Sequence, residues 1–129
     1  MSVRIRTITF DSAEPYQLSL FWTQVTGYTE DPDDPNLSEQ DEAALLGPDG
    51  TPNLLFVRVP EGKQVKNRVH LDLTPPEHGP AARDAEMARI LGLGATLVAD
   101  RRRPDGGGWV VLADPEGNEF CVERGVSGG

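Results

Sequence analysis

Apolar and polar positions alternate over the first ten residues. Val3, Ile5, Thr7 and Thr9 fall on one side and Ile8 and Phe10 on the other, most of them β-branched. A period of two with this composition predicts a strand over 3–10. Asp11, Ser12, Glu14 and Pro15 then read as helix-start chemistry: a capping side chain, a first-turn acid and a Pro that the first turn accepts. Leu18, Phe21, Trp22 and Val25 recur at helical spacing and make one apolar face, and Gly27 reads as the C-terminal cap.

The pattern is lost over 29–40, TEDPDDPNLSEQ, apart from a strand that starts near Tyr28. Acids and prolines predict an exposed loop there, and its spacing matches no EF-hand. Ala43–Leu46 and Leu54–Val59, joined through Gly47-Pro48-Asp49-Gly50, predict a hairpin closed by Pro60-Glu61-Gly62. Val69–Thr74 reads as a strand and Pro75–Pro80 as a loop. Ala81–Leu93 reads as a helix with Met87, Ile90 and Leu91 inward, ended by Gly92 and Gly94. Ala95–Ala99, Trp109–Ala113 and Phe120–Glu123 complete the strands. Arg101–Gly108 is a loop, Asp114–Asn118 a turn, and Val126–Gly129 is expected to fray.

Strand, helix and strands thus occur twice. Gly27 and Gly94, each ending a helix, stand 67 residues apart, and so do Pro48-Asp49-Gly50 and Pro115-Glu116-Gly117. Two landmarks at one offset define a repeat. Thr7 and His70 stand 63 apart, so the Pro-rich loop of the second copy absorbs the difference. The expectation is one domain over 1–129, α+β in class, built from two βαβββ modules at about 1–62 and 67–125.

Composition narrows the function. With 12 basic and 21 acidic residues the net charge is −9, which argues against sequence-independent binding to nucleic acid or an anionic membrane. A single Cys makes no internal disulfide, and no run of about 18 apolar residues exists to span a bilayer. The first ten residues are too polar for a signal peptide, so a cytoplasmic protein is expected.

Three motifs carry a resemblance. They are Asp11-Ser12-Ala13-Glu14-Pro15 leading into Leu20-Phe21-Trp22, Arg68-Val69-His70-Leu71-Asp72-Leu73, and Ala113-Asp114-Pro115-Glu116-Gly117-Asn118-Glu119-Phe120. With them the chain resembles the vicinal oxygen chelate superfamily, the glyoxalase, bleomycin-resistance and extradiol-dioxygenase group, and within it the glyoxalase-like domain proteins. The resemblance implies that paired modules form a glyoxalase-like barrel around a cavity, commonly in a homodimer. It also implies, for the enzymes, a divalent metal held by His and Glu from four strands. Those positions fall here on Thr7, within Leu54–Val57, on His70 and on Cys121. A neutral hydroxyl and an apolar run are poor ligands, and catalytic metals usually need three protein ligands.

The reading is therefore a metal-free pocket holding a small organic molecule, lined by Thr7, Leu55, Phe56, Val57, His70, Asp72, Trp109 and Cys121, with no cofactor. The alternative is a metal-dependent lyase, isomerase or dioxygenase. Its non-standard site would use His70, Cys121 and either Glu119 or Glu123, which share a strand face with Cys121. His70 is the candidate catalytic residue, as hydrogen-bonding group or general base; a satisfied strand histidine is the plainer reading. Trp109 stacks on a flat ligand or packs the sheet. Arg101-Arg102-Arg103 clamps an anion or forms a solvated turn. Gly106-Gly107-Gly108 supplies flexibility, as a lid would, and is no phosphate loop because no helix follows. Arg58 reaches a pocket rim.

Overall fold

A computed structural model describes residues 2–125, so the expected fraying of 126–129 lies outside the described residues. The element order is β1 (Thr7–Ser12), α1 (Pro15–Thr26), β2 (Glu42–Leu45), β3 (Asn53–Arg58), β4 (Leu71–Leu73), α2 (Pro80–Gly92), β5 (Thr96–Asp100), β6 (Trp109–Ala113) and β7 (Glu119–Glu123). The chain divides into two compact units between Gly62 and Lys63. No helix among the described residues is long and apolar enough to cross a membrane.

In the first unit the strand order is β1-β3-β2. β1 runs parallel to β3, with Thr7 opposite Asn53 and Phe10 opposite Phe56. β2 runs antiparallel to β3. A parallel pair needs a long crossover, and α1 supplies it. Strand alternation separates two faces. Ile8, Phe10, Leu54 and Phe56 point one way, and Thr7, Thr9, Leu55 and Val57 the other. α1 covers the first face. The rings of Phe10 and Trp22 are 5.4 Å apart, those of Phe10 and Phe56 5.2 Å, and Phe21 meets Trp22 edge-on. Leu18, Phe21, Trp22, Leu54 and Phe56 are buried there. Burial of each such side chain contributes roughly 1.5–3 kcal/mol before its entropy cost.

Helix α1 begins at Pro15, but not on the expected cap. Ser12 is the last residue of β1, and the N-cap is Glu14, whose side chain caps nothing. Strand pairing with Arg58 took the residue that local chemistry offered to the helix. The start of β1 also differs, because residues 3–6 lie outside the strand and Val3 and Ile5 are exposed. Gly27 ends the helix in the left-handed conformation, φ 76°.

The acidic segment is a loop, as composition predicted. Asn36 holds it by donating Nδ2 to the Ala44 carbonyl and accepting the Ala44 amide, both at 2.9 Å. Thr29 bridges to Leu46 in place of a full strand. The first unit is therefore βαββ, with the isolated Thr29–Leu46 bridge beside β2. The second is βαβββ, in the order β4-β7-β6-β5, with β4 parallel to β7.

In the second unit Ile90 of α2 is buried, as are Val110, Leu112, Phe120 and Val122 on one face of the sheet. The turn before β7 is organised by Asp114. This buried carboxylate accepts the amides of Glu116 and Asn118 at 2.9 Å and the Asn118 side-chain amide. α2 also buries a cation that the sequence did not suggest. Arg83 Nη1 donates to the carbonyls of Gly106, Gly107 and Gly108 at 3.2, 2.9 and 3.2 Å, and Nε donates to Asp84 at 2.9 Å.

The glycine loop is thus pinned rather than free, which corrects its expected role as a flexible lid. Gly108 has φ 86°, and a Cβ there would stand 2.1 Å from the Arg101 carbonyl oxygen. Gly50 has φ 88°, but its Cβ would meet nothing within 4 Å. The pair separates conformational strain from collision. Gly50→Ala should cost about 1 kcal/mol, the backbone contribution alone. Gly108→Ala should cost upwards of ~3 kcal/mol, because collision with a fixed carbonyl is added. Urea unfolding of both variants measures the difference; equal losses would mean that the Arg101–Gly108 loop yields freely.

Candidate functional site

Strand register collects the candidate residues of the second unit on one face. Asp72 stands opposite Cys121, Val111 also opposite Cys121, and Trp109 opposite Glu123. Paired residues share a side of the sheet. Trp109, Asp72 and Cys121 therefore lie on the face turned away from the buried row of Phe120 and Val122.

His70 does not sit within a strand, as its apolar neighbours predicted. β4 is only Leu71–Leu73, and His70 immediately precedes it. The residue still reaches the same group, because its Nδ1 lies 3.2 Å from Asp72 Oδ1 and 3.8 Å from Cys121 Sγ. The His70 and Asp72 side chains are 45% and 51% exposed, whereas Cys121 is only 4% exposed. Two polar groups thus stand at the surface above a covered sulfur.

The electrostatics of Cys121 are defined. Burial first, then the negative charges of Asp72 and Glu123, push its thiol up to about 11, with Lys66 opposing. At neutral pH the group is a thiol, so it is not a ready nucleophile. The geometry agrees. In a Cys-His-acid relay the thiol and the acid use opposite ring nitrogens. Here Asp72 and Cys121 both approach Nδ1.

Ligand atoms of His70, Asp72 and Cys121 lie within 4.8 Å of one another, and this is the metal-competent cluster among the described residues. Glu119 and Glu123, offered by strand alternation as third ligand, are not in it. Glu119 is ion-paired with Lys66, and its amide hydrogen bonds to Asn67. Glu123 is registered against Trp109 at the other end of the strand pair. Asp72 takes that place. The signal was present in the His-x-Asp spacing, which puts both side chains on one side of an extended segment.

In the first unit Thr7, Leu55 and Val57 share the face away from α1, and Leu55 borders an open cavity of about 500 Å³ with Asn36, Glu39 and Ala44. Phe56 does not. It is fully buried against Phe10 on the helix side, so its expected place in a pocket lining is corrected: alternation sends it to the core. The implied metal positions of this unit offer a Thr hydroxyl at position 7 and apolar side chains at Leu54–Val57, neither of which fits a divalent ion.

Two of the three arginines singled out by sequence have side-chain partners. Arg102 pairs with Asp100 and Asp84, and Arg103 lies 3.6 Å from Asp105. Arg102 holds the Asp100 carboxyl down to about 2, and Arg83 is the first cause that lowers Asp84. These charges brace the β5–β6 hairpin. Arg58 ties strand ends together instead of reaching a rim, through Asp41 at 3.0 Å and the Ala13 carbonyl at 2.6 Å. Arg83, the cation that matters most to the loop, was missed. It falls at helical spacing from Met87 and Ile90, a charged residue on an otherwise apolar face ahead of three glycines.

A glyoxalase-like domain family model matches residues 7–123. The chain belongs to the glyoxalase-like domain family, and its α+β fold is that of the vicinal oxygen chelate proteins. Among solved structures it is similar to a glyoxalase/bleomycin resistance protein/dioxygenase family enzyme from Burkholderia phytofirmans, at 20% identity and TM-score 0.72, covering 93% of this chain and 97% of that one. A possible glyoxalase from Bacillus cereus matches at 15% identity and TM-score 0.70, covering 95% and 99%. The fosfomycin resistance protein FosX from Listeria monocytogenes, in a complex with Mn(II), matches at 16% and 0.66, covering 97% and 92%. No curated protein matches the chain.

The thiol provides a direct check of the site. With its pKa pushed up to about 11, the thiolate fraction of Cys121 rises tenfold per pH unit until near that value. Iodoacetamide labelling of the folded protein should be slow at pH 7.5 and climb steeply through pH 10. Asp72→Asn removes the largest opposing charge and should move the curve to lower pH. Rapid labelling at pH 7.5 would show that the thiolate is stabilised instead.

Proposed function

We propose that this protein binds a small organic molecule and holds it without the four-position His and Glu metal centre that the superfamily resemblance implies for its enzymes. The observation that carries this reading is Trp109. It is 40% exposed on a sheet face that also presents Asp72, with His70 at its edge. An aromatic surface beside a few polar groups is the usual makeup of a small-molecule site.

The donor chemistry supports the same reading. Thr7 and the apolar run Leu54–Val57 leave two of the four implied positions without a strong ligand. A lyase, isomerase or dioxygenase reaction through that centre would lack half of its ligand set. Sequestration needs only shape and a few hydrogen bonds, which Trp109, Asp72 and His70 of the second unit can supply.

The test uses the chain's own fluorescence. Trp22 is fully buried and Trp109 exposed, so contact quenching by a bound molecule reports Trp109. A panel of small aromatic and antibiotic-like molecules is screened in the presence of EDTA by melting temperature and Trp emission. At least one should raise Tm and quench emission saturably, and Trp109→Leu should weaken it by about tenfold, the ~1.4 kcal/mol scale of an aromatic contact. Binding that disappears with EDTA, or a panel without a single ligand, would overturn the reading.

A further inference from the structure

The first unit carries a pair of cationic side chains that the small-molecule reading does not employ. Residues 1–62 hold three basic side chains, Arg4, Arg6 and Arg58, against eleven acidic ones. Arg58 is engaged by Asp41, Glu14 and the Ala13 carbonyl. Arg4 and Arg6 have no ion pair among the described residues, and both line one open cavity of about 610 Å³. We propose that this cavity binds a small phosphomonoester bearing hydroxyl groups, with its phosphate on Arg4 and Arg6 and a hydroxyl on Asp49. The proposal goes beyond the reading given for Trp109 and stands or falls apart from it.

Strand pairing and a fixed turn build the walls. Arg6 directly precedes β1, and its carbonyl accepts the Asn53 amide at 2.9 Å, which ties the segment to the start of β3. The remaining lining is the β2–β3 turn, residues 47–53. There the Thr51 amide and hydroxyl both donate to the Pro48 carbonyl, at 3.0 and 2.6 Å. The Gly47 amide donates to Asn53 Oδ1 at 3.0 Å. Gly47 itself has no room for a side chain, since a Cβ there would stand 2.5 Å from Thr51 Oγ1 and 2.8 Å from a Tyr28 ring carbon. The turn is thus held before any ligand arrives, and binding does not have to order it.

Placement separates this cavity from the second-unit site. All of its lining falls within residues 4–53, so the first unit contains it entirely. It lies where the parallel strands β1 and β3 both begin, at the opposite end of the sheet from Ser12 and Arg58.

Charge sets the class of ligand. A guanidinium presents paired N–H donors that match phosphate oxygens, and such charge-assisted bonds are stronger than neutral ones. Two residues of chain span at most about 7 Å, so Arg4 and Arg6 can serve one phosphate together. Asp49, on the same lining, repels a bare anion but accepts hydrogen bonds, so it calls for a donor elsewhere on the ligand. The cavity volume is of the usual small-molecule scale and leaves room for a ligand body beyond the phosphate. A polyanion fits poorly, because the eleven carboxylates of this unit would repel its further phosphates. With a net charge of −9 the chain does not draw anions from a distance, so affinity rests on the two arginine contacts.

The test is an amide NMR titration of the whole chain in phosphate-free, low-salt buffer. The probes are glycerol 3-phosphate, inorganic phosphate and glycerol. Glycerol 3-phosphate should shift the amides of Arg6, Gly50 and Thr51 saturably, inorganic phosphate should shift the same amides with lower affinity, and glycerol should shift none. Added sodium chloride should weaken binding, as screening of exposed charges requires. Arg4→Gln and Arg6→Gln, at exposed positions outside the core, should each weaken glycerol 3-phosphate about tenfold, the scale of one charge-assisted hydrogen bond. Asp49→Ala should reduce the preference for glycerol 3-phosphate over inorganic phosphate about fivefold. Arg68→Gln makes the same change of net charge in the second unit and should leave the affinity unchanged. A titration without saturation, a loss in Arg68→Gln equal to that in Arg4→Gln, or glycerol binding as well as its phosphate would overturn the proposal. So would shifts centred on the Trp109 indole in place of the turn, because they would assign the anion to the second unit. The small-molecule reading is left to its own test, since the expected signals belong to residues 4–6 and 47–53.

Discussion

The parallel pairing of first strand with last strand is the constraint on which each unit rests. β1 lies beside β3 in the first unit, and β4 lies beside β7 in the second. A parallel pair cannot be closed by a tight turn, so each unit must carry its helix between the paired strands. The helix then claims one face of the sheet, and the other face is left to present side chains. The site is made by the residues that the register places there. Asp72 meets Cys121 because Leu71 meets Phe120 one residue before and Leu73 meets Val122 one residue after. A slip by one residue would turn the thiol into the core and Phe120 out of it.

The same pairing explains why the sequence was readable at the level of modules. Helix faces such as Leu18, Phe21 and Trp22, the caps at Gly27 and near Gly94, and the two Pro-acid-Gly turns are local signals, and their common offset needs no tertiary information. What failed to be legible was set by tertiary contacts. Ser12 is a good cap by local chemistry, yet β1 keeps it for pairing with Arg58. The first unit was expected to have a full third strand after its helix. Instead, Asn36 occupies the edge of β2 with its side-chain amide, and a single Thr29–Leu46 bridge remains. An asparagine in an acidic loop gives no sign that it will imitate a strand.

The candidate site divides along the same line. Face membership of Trp109, Cys121 and Asp72 could be read from alternation once the strands were placed. Alternation should equally have separated Phe56 from Leu55 and Val57, and grouping all three as lining ignored it. The identity of the third donor was not accessible in that way. Glu119 and Glu123 share a face with Cys121, but one is drawn to Lys66 and the other lies opposite Trp109. Asp72 comes from the neighbouring strand: the His-x-Asp spacing pairs it with His70, and the ladder register brings it to Cys121. The two units also differ chemically at their matching strands. The first offers hydroxyl and hydrocarbon at Thr7 and Leu55, and the second offers nitrogen, oxygen and sulfur.

Position on the open face is controlled from the helix side. Trp109 is the first residue of β6 and follows Gly108 directly. Gly106, Gly107 and Gly108 turn their carbonyls to the buried guanidinium of Arg83, and the Arg101 amide donates to the Trp109 carbonyl at 2.9 Å. A run of three glycines would ordinarily leave the following side chain poorly placed, since glycine adds backbone freedom. Here the freedom is removed by one cation with three acceptors, and the surface pairs of Arg102 with Asp100 and Asp84 brace the same hairpin. Lysine could not replace Arg83 equally, because the guanidinium serves the three carbonyls through Nη1 and Asp84 through Nε, two separated nitrogens that one ammonium does not reproduce. The arginine-rich loop is thus the scaffold that orients an exposed tryptophan, with the charge of Arg102 held by Asp100 and Asp84.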